Sequence, residues 1–174
     1  GKIGQNRDNQ GLSEYDIAAS ATAIYFQDPV EMAATGTITV AAATDTLLGS
    51  LTGVFFTDAN TSKPTFANHL DASNAATDIK GFVADDPYER FEVQADGATA
   101  AADVGLNADI VYAAGSSPDY VSKVELQTSD QKTGSAQLRI LGISKDPDNN
   151  TAGSANVNLV VMINEHFLKG TTGI

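Results

Sequence analysis

Apolar and polar positions along this chain alternate in short runs, and turn chemistry interrupts them about every ten residues. Residues 36–40 (GTITV) alternate cleanly, and residues 22–27 (TAIYFQ) form an aromatic, β-rich run that ends at Asp28-Pro29. Residues 47–57 (LLGSLTGVFFT) predict a long strand that bends at Gly49 or Gly53, where glycine admits a bulge. A short returning strand is expected over 63–66. Further strands are expected over 79–84, 90–95, 109–113 and 120–127, and the strongest signals lie at 135–143 (SAQLRILGI) and 156–164 (NVNLVVMIN). Segments 67–78 and 145–154 are polar and read as loops, and the alanine-rich stretch 98–108 predicts a helical turn or short helix.

The segment Gly81 to Gly97 (GFVADDPYERFEVQADG) places two such runs around an acidic Asp-Asp-Pro turn. Pro87 fixes φ and has no N–H, so it ends a ladder and opens a turn. A β-hairpin or a corner follows from this pattern. Asp-Pro pairs recur at 28–29, 86–87 and 146–147, each after an apolar run, and there is no strict repeat. The fold expected is all-β: a small β-barrel or sandwich with a short helix or helical turn. Residues 1–20 are polar and aperiodic and are expected to form an extended N-terminal arm, with 21–174 as a single β-rich domain.

Composition narrows the function classes. A chain of 174 residues buries a real core without staples, and with no cysteine it has no disulfide, zinc-thiolate site or cysteine nucleophile. The net charge of −12, from 22 acidic and 10 basic residues, argues against a nucleic-acid partner. No apolar run approaches the roughly 20 residues a membrane-spanning helix needs, so no membrane partner is expected.

Candidate chemistry is sparse. The two histidines are His69, in a polar loop, and His166, just after the last strong run, and no serine sits in a GxSxG elbow. Asp146, Asp148, Asn149 and Asn150, and again Asp85, Asp86 and Glu89, offer oxygen ligands, but without the spacing of a calcium loop, and Asp and Asn also serve ordinary turns. Gly49-Ser-Leu-Thr-Gly53 lacks the Gly-Lys-Ser/Thr ending of a phosphate loop. Tyr25, Phe26, Phe55, Phe56 and Phe82 fall inside strands and are expected mostly in the core. No catalytic residue, metal site or cofactor is assigned, and the chain is not expected to be an enzyme.

Several pieces, in order, carry a family resemblance. They are YFQDPV (25–30), LLG (47–49), GVFFTDAN (53–60), VADDP (83–87), FEVQADG (91–97), GLNAD (105–109), VEL (124–126), LRILG (138–142), DPDN (146–149), INEH (163–166) and the ending KGTTGI. With them the chain resembles the capsid decoration, or cement, proteins of tailed phages of marine bacteria and cyanobacteria. The resemblance implies a virion structural protein, assembled in the host cytoplasm, that binds the outer capsid surface and bridges subunits of the major capsid protein. A homo-oligomer is implied, a trimer ahead of a dimer. On this reading the arm residues Ile3, Arg7, Leu12 and Tyr15 are the candidate capsid anchors. The alternatives are a tail or fibre component and a carbohydrate-binding β-sandwich, the latter disfavoured by the absence of tryptophan.

Overall fold

The computed structural model describes residues 11–170. They are β-structure throughout, with helical geometry limited to three 3-10 turns at Ala101–Asp103, Thr128–Asp130 and Phe167–Lys169. The alanine-rich stretch therefore yields one helical turn.

The first half builds one sheet from β1 (Leu12–Asp16), β2 (Pro29–Met32), β3 (Ile38–Val40), β4 (Leu47–Thr57), β5 (Pro64–Ala67) and β6 (Lys80–Ala84), with spatial order β1-β6-β4-β2-β3 and β5 beside the far end of β4. The second half builds a four-stranded sheet, β7 (Arg90–Gln94), β12 (Asn158–Ile163), β11 (Leu138–Ile143) and β8 (Asn107–Ala108), together with a small pair, β9 (Ile110–Val111) and β10 (Glu125–Leu126). All named strand pairs are antiparallel. Both sheets curl, and neither closes. Ile17, just past β1, makes a single parallel bridge to Ile38 of β3, and Ala95, just past β7, makes one to Leu126 of β10.

Each sheet wraps its own hydrophobic cluster. Ile17, Ile24, Ile38, Leu48, Leu51, Val54, Leu70, Ile79 and Val83 fill the first, and Leu47, Ile110, Leu126, Ile140, Leu159, Val161 and Ile163 fill the second. Leu47 and Leu48 are consecutive yet enter different clusters. Successive side chains leave opposite faces of a strand, so the start of β4 is the partition between the two cores.

The long strand bends as its glycines suggest. Register shifts fall at Leu48 against β2 and at Thr52 against β6. A Cβ on Gly49 would lie 2.2 Å from the Ala84 carbonyl oxygen, so this position accepts only glycine.

Of the hairpin and the corner that the Asp-Asp-Pro segment left open, the fold takes the corner: β6 lies inside the first sheet and β7 at the edge of the second, so the turn carries the chain between sheets. Two expectations are corrected. Residues 22–27 and most of 120–127 make no continuous strand. Ile24 bridges Leu70 and Phe26 bridges Val121 as single contacts, and Gln27 and Tyr120 have positive φ (67° and 52°), which interrupts an extended run. The arm does not extend to residue 20, because Leu12–Asp16 pairs with β6 along its whole length and Ile17 is in the core. That strand was illegible because its inward row opens on the small polar Ser13 and its one inward aromatic, Tyr15, is only half-buried.

Candidate functional site

Phe55, Phe66 and Phe82 meet on the solvent side of the first sheet. Val54 and Phe56 point into the core, so strand alternation turns Phe55 outward. Phe66 lies directly opposite it on β5, with ring centroids 4.9 Å apart. Phe82, on β6, is paired with Gly53. The Phe66 ring leans across β4 at this point and stacks on Phe82 at 5.8 Å and 13°. Phe66 is 73% exposed. Phe55 and Phe82, expected in the core, are thus only half-buried and belong to an outward aromatic face.

A second feature is a cleft of about 920 Å³ between the two sheets. Pro29 and Ser50 of the first sheet, β7 and residues 122–125 line it, and Phe91, Val93 and Val124 supply apolar surface. Arg90, Glu92, Lys123 and Glu125 also line it and bring two charges of each sign.

Asp28 and His166 are buried ionisable groups, as are Asp85 and Asp109. Asp28 is fully buried; Oδ2 accepts the Tyr25 N–H at 2.8 Å, while Oδ1 has no hydrogen-bond partner among the described residues. Burial pushes its carboxyl above the usual range, opposed by hydrogen bonds from Ser122 and the Tyr25 backbone. His166 is buried with Nδ1 accepting the Leu168 N–H at 3.0 Å, which assigns the proton to Nε2. Burial, then the nearby Lys169 charge, hold its pKa below 6.5, against the pull of Asp85 and Asp86.

Gln137 is the structural node between the halves. Its Nε2 donates to the carbonyls of Ala42 and Asp45 at 2.8 Å each, its Oε1 accepts from Ile110 N–H at 3.0 Å, and its own N–H donates to Asp109 Oδ1 at 3.0 Å. Such a fully buried amide is tolerated because its polar atoms are satisfied. A lone glutamine in an apolar run gave no sequence signal of this role.

Comparison of the chain with protein-family models, with curated proteins and with solved structures gives no match.

Of the four candidate anchors, Ile3 and Arg7 lie outside the described residues. Leu12 and Tyr15 lie in β1, and Tyr15 faces inward against the first core with its hydroxyl donating to Asp85 Oδ2 at 2.6 Å. Tyr15 is therefore part of the body and not a projecting anchor. The two histidines are far from a shared site in the fold: the His69 ring stacks on Tyr120 at 3.9 Å and lies against Asn68 and Asp71, while His166 is enclosed beneath the 85–86 corner.

The acidic loops engage their oxygens as turns do. Asp86 Oδ1 accepts Tyr88 N–H, Asp146 Oδ1 accepts Asp148 N–H, and the Asp86 and Asp146 carbonyls accept the N–H groups three residues on. Among the described residues no three His, Asp or Glu side chains converge as metal ligands. Sequence reasoning missed Phe66 as a surface residue and Tyr88, whose ring is 75% exposed and sits under Lys169 Nζ at 4.7 Å.

Proposed function

We propose that this protein is a capsid decoration (cement) protein that binds the outer surface of a tailed-phage head through its aromatic face and bridges subunits of the major capsid protein. The observation that carries the reading is the Phe55–Phe66–Phe82 face, an aromatic surface held outward on three paired strands. Aromatic side chains, phenylalanine included, are enriched at protein interfaces and bury large apolar area there. The ordered sequence resemblance names the shell as the partner. Many copies on a repeating lattice turn modest individual contacts into a strong hold on the shell, and a net charge of −12 keeps decorated particles from clumping. The homo-oligomer, a trimer ahead of a dimer, belongs to the same proposal.

Co-sedimentation of the purified protein with undecorated heads tests it. Saturable binding at a fixed ratio to the capsid protein is the expected result, and that ratio gives the oligomeric state. No binding to heads, with the protein instead on tails, overturns the decoration role in favour of a tail component.

A further inference from the structure

The short segment after β12 touches both halves of the molecule. β12 belongs to the second sheet and ends at Ile163, and the 3-10 turn Phe167–Lys169 follows soon after. Between them the Glu165 carbonyl accepts the Leu47 N–H at 3.0 Å, and His166 bridges Leu47 at the start of β4. Phe167 packs on the first core, and Lys169 Nζ lies 4.7 Å from the centre of the Tyr88 ring, on the corner that joins β6 to β7. Residues 165–169 thus fasten the second sheet to the first and to the corner between them.

His166 sits at the centre of this segment. Its ring is buried, Nδ1 accepts the Leu168 N–H at 3.0 Å, and its own carbonyl accepts the Lys169 N–H at 2.9 Å. Imidazole accepts at Nδ1 only while neutral, because both nitrogens of the cation are donors. A proton on Nδ1 would meet the Leu168 N–H head-on, so the turn and the charged ring exclude each other. The Nε2 donor has no partner among the described residues. Among those residues, the charged groups that face the ring are Lys169 from its own turn and Asp85 and Asp86 from the corner, and Leu47 of β4 brings none. Lys169 repels a charge on the ring, and the two carboxylates attract it.

We infer that residues 165–169 form an acid-released latch, closed on the first half of the molecule while His166 is neutral and opened when the ring takes a proton. Opening frees the Leu168 N–H, lifts Lys169 from Tyr88 and uncovers Phe167. Burial and Lys169 hold the ring below its ordinary 6.5, so the latch is closed at neutral pH and is lost as pH falls through the folded pKa. It uses none of Phe55, Phe66 and Phe82, and it stands whether or not the protein decorates a shell.

NMR of the full chain, titrated from about pH 7.5 to about pH 4.5 across the ordinary histidine range, tests it. The His166 ring nitrogens report protonation. Amide exchange of Leu168 and Lys169, taken relative to the unstructured-chain rate at each pH, reports the latch. Their protection is expected to fall at least about tenfold as His166 titrates, while the Ile140 and Val161 amides of β11 and β12 keep theirs. His166→Asn sets a non-titrating oxygen in the place of Nδ1 and is expected to keep Leu168 protected throughout. If that variant does not fold, the wild-type titration decides alone. A ring that stays neutral across the range overturns the inference, and so does Leu168 protection that is unchanged while the ring titrates. The same loss in His166→Asn, or a loss shared by Ile140 and Val161, overturns it as well.

Discussion

At the residue scale, two of the buried ionisable groups, Asp28 and His166, act on stability in opposite directions. The folded-state pKa of Asp28 is raised above the ordinary 3.8, so its contribution is fully present below that value and is lost as pH rises through the folded pKa. His166 is depressed below 6.5, so its contribution is present above that value and is lost as pH falls through the folded pKa. Asp28→Asn is therefore expected to flatten the stability profile above pH 3.8, and His166→Gln to flatten it below pH 6.5, in denaturant melts across that range. An Asp28→Asn profile parallel to wild type would contradict the assignment. Tyr15 offers a separate check. Tyr15→Phe removes a hydrogen bond to the buried Asp85 carboxylate, and a loss of about 1.5–3 kcal/mol is expected in urea unfolding. A freely projecting arm residue would show no change.

At the element scale, β4 and the 85–89 corner decide how the two sheets are joined. Gly49→Ala forces a Cβ to 2.2 Å from the Ala84 carbonyl oxygen, a backbone atom, and to 2.8 Å from Val83 Cγ1. A destabilisation of about 3 kcal/mol or more, or failure to fold, is expected, while Gly142→Ala, where a Cβ meets open space, serves as the matched control. Replacing Asp86-Pro87 by Ala-Ala removes the Asp86 carboxylate that accepts Tyr88 N–H and the fixed φ of proline, and is expected to lower the melting temperature by several degrees. An unchanged melting temperature would deny the corner a structural role. Elements with clean alternation were legible before the fold was known: β3, β4, β11 and β12 fall where their patterns place them. β1 was not legible, because its inward row begins at the small polar Ser13, while the apolar Leu12 sits on the opposite face. Nor was the break-up of 22–27, because a positive φ at Gln27 is set by which segments flank it.

At the scale of the whole molecule, the aromatic face is separable from the fold. Phe66 is largely exposed, so Phe66→Ser is expected to leave the melting temperature within about a degree, by the small cost of surface substitutions. Binding to undecorated heads is expected to fall at least about tenfold, the loss typical of an interface anchor. Unchanged binding with a normal fold would move the docking surface elsewhere on the protein.

The sequence by itself determined the class of structure: short alternating runs and Asp-Pro and Gly punctuation demand β-sheet, and the lack of cysteine excludes disulfides and thiolate chemistry. Strand alternation is local, so it reads directly from neighbouring residues. Only the tertiary structure decided that β6 and β7 part into different sheets, and that Leu47 and Leu48 serve different cores. It alone placed Phe55, Phe66 and Phe82 outward and set β7 at the edge of its sheet. Each of these depends on which distant segment lies alongside, and residues as far apart as Tyr15 and Asp85 become neighbours through pairings that no local pattern encodes.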